Sequence, residues 1–159
     1  MKLLKFLDEY IEESILIVLL ILMTLIMGLQ VCARYVFNYS LIWSEEVTRY
    51  LYIWSGFISV SYCTKRCISI KVDQLISAFP DKLKNIFMII NYSIEFVFFF
   101  YLIPFSYQYF ISAIESGQLS PACGMPMYLI QIAPLVGFIL VEFRILQRWY
   151  NEFRKIRGV

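Results

Sequence analysis

The 159-residue chain is 60% hydrophobic, 18% aromatic and only 16% charged, with a mean hydropathy of +0.69, well beyond the apolar content of soluble domains. A net charge of +2, with basic residues in short clusters beside apolar runs, argues against a nucleic-acid partner. Histidine is absent, which excludes a haem held by paired imidazoles, a histidine proton relay and a Ser-His-Asp hydrolase, and leaves zinc only cysteine and carboxylate ligands.

Runs without charge cover residues 14–33, 50–64, 96–114 and 116–141, and about 20 apolar residues suffice to cross a bilayer core. The sequence therefore predicts an all-α membrane protein, one domain over residues 1–159, with four transmembrane helices and short amphipathic interfacial helices. The spans are expected at about 14–36, 45–64, 84–114 and 125–146, and the interfacial helices at about 2–12 and 70–79.

At the start, Leu3, Leu4, Leu7, Tyr10 and Ile11 recur at helical spacing, with Lys2, Lys5, Asp8, Glu9 and Glu12 between them. That pattern gives an apolar face for lipid and a charged face for water. A secretory signal peptide is not expected, because acidic residues precede the apolar run and no small-residue cleavage site follows.

Around the first connection, Arg34 ends span one and Trp43-Ser44-Glu45-Glu46-Val47-Thr48-Arg49 opens span two. Ser44 is placed to cap that helix, and Glu45 and Glu46 suit its positive end. Glu45 sits four residues before Arg49, in reach of an intrahelical pair. With Tyr35, Tyr39, Tyr50, Tyr52 and Trp54 around them, these charges read as fixing the hairpin and anchoring lipid headgroups within an aromatic belt.

In the second connection, Val72, Leu75, Ile76 and Phe79 repeat the amphipathic pattern, and Pro80 ends it. The third helix is expected over 80–115, longer than a bilayer needs, with Pro104 as its kink candidate. Within it, Glu95 is read as the only acidic residue well inside an apolar stretch, a functional-site candidate by default. An ion pair with Arg144 is the plainest reading, and a contact to a partner subunit or a proton relay are the others. Residues 116–126 are dense in helix breakers and read as a structured external turn, after which helix four carries Pro134 and Gly137.

Placing both termini in the cytoplasm puts twelve of the fourteen basic residues inside, all except Arg34 and Arg49. That topology sets Cys63 and Cys67 on the reducing side, so Cys32, Cys63, Cys67 and Cys123 read as small apolar fillers rather than as the pairs of a membrane thiol oxidoreductase. A small multidrug-type proton-coupled exporter would carry its carboxylate in the first span, which has none over 14–33. No phosphate loop, nucleophile elbow, metal cluster or cofactor motif occurs. The residues describe an accessory, non-enzymatic subunit for a larger membrane partner.

The run Arg34-Tyr35-Val36-Phe37-Asn38-Tyr39-Ser40-Leu41-Ile42-Trp43-Ser44-Glu45-Glu46, followed by Arg49, Trp54, Gly56 and Ile70-Lys71-Val72-Asp73, resembles the small membrane subunit of tripartite ATP-independent periplasmic (TRAP) transporters. The later stretch, Ser120-Pro121-Ala122, Gly124-Met125-Pro126-Met127 and Pro134-Leu135-Val136-Gly137, is similar too. The family often has a histidine just before Ile70, which this chain lacks. The resemblance implies sodium-driven uptake of an organic acid across the bacterial inner membrane. It further implies a large many-span elevator subunit as partner, an extracytoplasmic solute-binding protein, and lipid at the subunit contact. Carried over onto this chain, Arg34, Trp43, Glu45, Glu46 and Arg49 form an outer-face structural or docking cluster, and the overall likeness is to the sialic acid members.

Overall fold

The computed structural model describes residues 2–66 and 81–156, with side chains described over 10–66 and 89–150. The predicted interfacial helix at 70–79 and Cys67 lie outside the described residues. Among the described residues five helices follow in chain order: α1 (Lys2–Val36), α2 (Ile42–Arg66), α3 (Asp81–Ser116), the single turn α4 (Tyr128–Gln131) and α5 (Ala133–Ile156).

The amphipathic start and the first span form one continuous helix, α1. It stops where Asn38 takes a left-handed backbone, φ 50°, and the Phe37 and Tyr39 N–H groups both return to the Ala33 carbonyl at 3.1 Å. Asparagine tolerates that conformation better than most residues. Helix α2 begins at Ile42, earlier than its capping pattern implies, so Ser44 lies inside the first turn. Its hydroxyl reaches the Leu41 carbonyl at 2.6 Å and the Gln30 side chain rather than capping an N–H.

Among the described residues, three stretches are long and apolar enough to cross a membrane: Tyr10–Val36, Ile89–Ser116 and Tyr128–Tyr150. Helix α2, at 25 residues, has the length for a fourth span. Its lower apolarity comes from polar side chains that either meet other elements or, like Thr48, Ser55, Ser59 and Thr64, bond to the helix's own carbonyls. Ser44 and Ser61 are fully buried, and Ser44 meets α1.

Helix contacts run in the order α1–α2–α5–α3, with α4 bridging α3 and α5. The central pair approaches closely at Gly137, where an added Cβ would stand 2.7 Å from Phe57 Cβ and 3.0 Å from the Phe57 carbonyl oxygen. The next residue, Phe138, packs edge-on against Phe57, with centroids 5.7 Å apart, and at a tilt against Phe99 of α3 at the same separation. Val141 and Ile145 continue this α5 face onto Tyr92, Phe96 and Phe99. The flanking helices keep apolar faces uncovered: Leu20, Leu25 and Leu29 on α1 and Ile94, Val97 and Phe100 on α3 are exposed.

The fourth predicted span, 125–146, is interrupted at Ile132. Pro134 supplies no N–H and suits the first turn of a helix better than its interior, so α5 starts afresh at Ala133 and runs to Ile156. In α3, by contrast, Pro104 sits inside a helix that continues to Ser116.

Gly137→Ala is expected to force α2 and α5 apart and to lower stability by about 1–3 kcal/mol, the usual range for overpacking. Gly56→Ala, with nothing within 4 Å of the added methyl, should be near neutral. Thermal unfolding of the purified variants separates the two.

Candidate functional site

The end of the molecule that holds the first connection is organised by two carboxylates that turn in different directions. Glu45 Oε1 accepts from Gln30 Nε2 at 3.1 Å, tying α2 to α1. The intrahelical pair expected between Glu45 and Arg49 does not form, because Glu45 is drawn across to α1. Arg34 and Arg49 are exposed and make no ion pair with another described residue.

Glu46 reaches the opposite way, to the 117–127 loop. Its Oε2 accepts the backbone N–H groups of Ala122 and Cys123, each at 2.9 Å, and its Oε1 accepts the Tyr50 hydroxyl. Two successive amides aimed at one carboxylate oxygen form a small anion-binding concavity. Beside it, Cys123 Sγ lies 3.7 Å from the Trp43 carbonyl.

The loop also has bonds of its own. Gly117 (φ 58°) and Gly124 (φ 64°) supply left-handed turns that favour glycine. Leu119 and Pro126 form an isolated antiparallel bridge, and the Ser120 N–H donates to the Met125 carbonyl at 2.8 Å. Trp54 Nε1 of α2 donates to the Leu129 carbonyl at 3.2 Å, securing the loop's exit into α4. Of the five predicted outer-face residues, Trp43 and Glu46 thus meet at the loop, Glu45 joins α1, and the two arginines stay open to the surroundings.

The opposite end contains a buried cluster that the sequence reading misplaced. Glu12, expected on a water-facing surface, is 3% exposed. Its Oε1 accepts Arg144 Nε and the Ser61 hydroxyl, each at 2.8 Å, and its Oε2 faces Lys65 Nζ at 3.8 Å. Arg144, 5% exposed, also donates from Nη1 to Gln147 at 2.7 Å. Around this core, Arg148 donates to the Thr64 carbonyl at 2.7 Å and stacks over the Tyr92 ring at 4.9 Å. Glu13 and Arg66 pair at 2.8 Å on the more exposed side.

The predicted ion pair between Glu95 and Arg144 is therefore not formed. Arg144 is held by Glu12, and Glu95, half-buried, accepts from Asn91 one turn earlier at 2.9 Å. Nor is Glu95 the most deeply placed acid, since Glu142 is 7% exposed in the α3–α5 contact. The available signal was the spacing of Gly137, Phe138 and Val141, which puts Glu142 on the packed face of α5. For Glu12, the signal was the serine and lysine four residues apart at the end of α2, opposite a carboxylate on an antiparallel neighbour.

Cys32, Cys63 and Cys123 are free thiols. Among the described residues no group of three or more cysteine or carboxylate side chains is placed to hold a metal ion.

The family model described as "Tripartite ATP-independent periplasmic transporters, DctQ component" matches residues 23–155. The ectoine TRAP transporter small permease protein TeaB of Halomonas elongata is 25% identical over 116 residues, 73% of this chain and 60% of that protein. The isethionate TRAP transporter permease protein DctMQ of Oleidesulfovibrio alaskensis is 26% identical over 154 residues, 93% of this chain and 24% of its own length. The sialic acid TRAP transporter permease protein SiaT of Haemophilus influenzae is 28% identical over 125 residues, 79% of this chain and 20% of its own. The chain thus spans from about a fifth to three fifths of these relatives.

Removing one partner of a buried ion pair leaves the other uncompensated, at about 3–5 kcal/mol. Glu12→Ala and Arg144→Ala should each fall in that range in thermal unfolding, and the double variant should lose far less than their sum. At the other end, Glu46→Ala frees the 122–123 amides. The rate of Cys123 alkylation by a polar maleimide, followed by mass spectrometry, should rise several-fold, while Glu45→Ala leaves it unchanged.

Proposed function

The chain belongs to the DctQ-component family of tripartite ATP-independent periplasmic (TRAP) transporters, and from that premise we propose that it is the small membrane subunit of a sodium-coupled, binding-protein-dependent uptake system. It is a multi-pass inner-membrane protein. The match across residues 23–155 is the observation that carries the reading. On this reading the substrate and sodium sites lie in a large many-span subunit that works as an elevator, and this chain widens and steadies its stationary part.

Two features support a large membrane partner. In the isethionate and sialic acid permease proteins, the region that matches this chain is about a quarter or a fifth of a longer polypeptide, so in those proteins a segment of this kind is covalently joined to the remainder. In this chain, the flanking helices α1 and α3 leave their apolar faces uncovered, which suits burial against lipid and against further transmembrane helices. Nothing among the described residues resembles a solute path of broken helices around an unwound site. The interruption at Ile132 is a single residue, spanned by ordinary backbone bonds.

Both termini are placed in the cytoplasm on the distribution of basic residues. The Glu46-held loop and the open Arg34 and Arg49 then face the periplasm, where a solute-binding protein delivers its cargo. The transported solute is an organic acid, with sialic acid the first to try. Relatives named for isethionate, ectoine and sialic acid make the assay panel.

Co-expression with a large TRAP permease subunit, purification through a tag on this chain, and sodium-gradient uptake in liposomes test the proposal. Stoichiometric co-purification, with uptake that needs the large subunit, this chain and the binding protein together, is the expected result. A chain that purifies alone and moves solute by itself, with transport abolished by Glu95→Gln, overturns it.

A further inference from the structure

The flank between α1 and α2 carries an open groove of about 590 Å³, walled by Leu16, Leu20 and Met23 of α1 and by Tyr52, Gly56 and Val60 of α2. Two serines contribute to it, yet they leave it apolar. Ser55 donates to the Tyr52 carbonyl at 2.8 Å and Ser59 to the Gly56 carbonyl at 2.7 Å, so both hydroxyls are satisfied within α2. At Gly56 nothing stands within 4 Å of the position a Cβ would take, and the groove comes down to the backbone.

The two open arginines share the faces that line this groove. Arg49, Tyr52, Gly56 and Val60 follow one another at three- or four-residue spacing, which sets them on one face of α2. On α1, Leu16 and Arg34 are about five full turns apart and so lie in one row. The two helices are antiparallel, as the Glu12–Ser61 and Gln30–Glu45 contacts fix. Helical side chains lean toward their own N-terminus, so Arg34 leans inward from the end of α1 and Arg49 outward along α2, toward a common level above the groove. Both are exposed, and neither makes an ion pair with a described residue. Glu45, one turn before Arg49, is drawn to Gln30.

Depth is the second constraint. From Arg49 to Val60, α2 descends about 16 Å at ~1.5 Å per residue, close to half of the ~30 Å hydrocarbon core. An acyl chain that starts from a headgroup beside Arg49 therefore ends near Val60. Tyr52, 69% exposed at the rim, has the amphipathic ring that suits the headgroup boundary. A phosphate offers several acceptor oxygens to two guanidinium forks at once, a match that one carboxylate on a neighbouring helix does not provide.

We infer that the α1–α2 groove is a binding site for one anionic phospholipid, its phosphate held between Arg34 and Arg49 and one acyl chain laid over Gly56 toward Val60. On the topology given above, the lipid belongs to the periplasmic leaflet. The site is built by this chain alone; it requires α2 to cross the membrane and does not require the large subunit.

Native mass spectrometry of the full chain tests this, after delipidation in detergent and titration with phosphatidylglycerol or with phosphatidylcholine of the same acyl chains. One phosphatidylglycerol per chain is expected to bind, and more tightly than phosphatidylcholine. Arg34→Gln and Arg49→Gln, at exposed positions, are expected to fold and each to weaken phosphatidylglycerol binding about tenfold, as the loss of a charge-assisted hydrogen bond does. Arg66→Gln, at the other end of α2, removes the same charge and should leave binding unchanged. Gly56→Leu, which fills the groove, should weaken binding of both lipids. Equal binding of the two lipids, equal losses in Arg66→Gln and the other arginine variants, or binding that Gly56→Leu leaves intact overturns the inference. So does a Gly56→Cys chain, co-purified with a large subunit, that cross-links to that subunit and retains no lipid, since the groove then seats a helix. Should Gly56→Leu fail to fold, the lipid comparison and the arginine variants decide.

Discussion

The carboxylate of Glu12 and the guanidinium of Arg144 meet at 2.8 Å with almost no exposure, and the arrangement of the other helices depends on that meeting. In a low-dielectric interior neither charge is tolerable alone, and each restricts where the other's helix can stand. Because Ser61 and Lys65 of α2 join the same carboxylate, one side chain of α1 sets the height of both α2 and α5. A slip of α5 by one turn, about 5.4 Å, would strand two buried charges. Apolar contacts between the same helices are far more tolerant of such a shift, since leucines and phenylalanines slide over one another with little penalty in a hydrocarbon solvent.

The other end solves a similar problem with hydrogen bonds in place of a buried ion pair. Gln30, Ser44 and Glu45 close α1 onto α2, and Glu46 closes α2 onto the loop before α4. Polar chemistry is thus concentrated at the two ends, while Gly137 and the Phe57, Phe99 and Phe138 rings fill the middle. Adjacent glutamates in the sequence point about 100° apart on a helix, which is why Glu45 and Glu46 serve different neighbours.

Much of the fold was legible in the sequence. Charge-free runs located the membrane-crossing helices, the amphipathic start continued into α1, and the breaker-rich stretch after α3 proved to be an ordered turn with two left-handed glycines. What periodicity could not convey was pairing between distant segments. Glu12 lies on the polar side of its own helix, and only the arrival of α5, 132 residues later, turns that side into an interior. Glu95 was the conspicuous acid because apolar residues follow it, yet Asn91 in its own helix satisfies it. Glu142 was passed over because it stands at the end of an apolar run, next to residues that look like the polar exit from a membrane. At the outer-face cluster Glu46, Trp43 and Glu45 each meet a neighbour, and those partners were not legible in the sequence. A carboxylate bound by backbone amides leaves no mark on the side chains that lie opposite it.

The order α1–α2–α5–α3 has a mechanical corollary. Helices arranged in a line share three seams instead of one common core, and each seam has its own chemistry: ions and serines in the first, a glycine notch in the second, tilted rings and a buried acid in the third. The Glu12–Arg144 pair ties α1 to α5 across the first two seams, so local unfolding is expected to start away from that end, with free energies that differ from seam to seam. A wall built this way bends at its joints under a lateral load, and a second membrane protein laid along its uncovered faces stiffens it from outside.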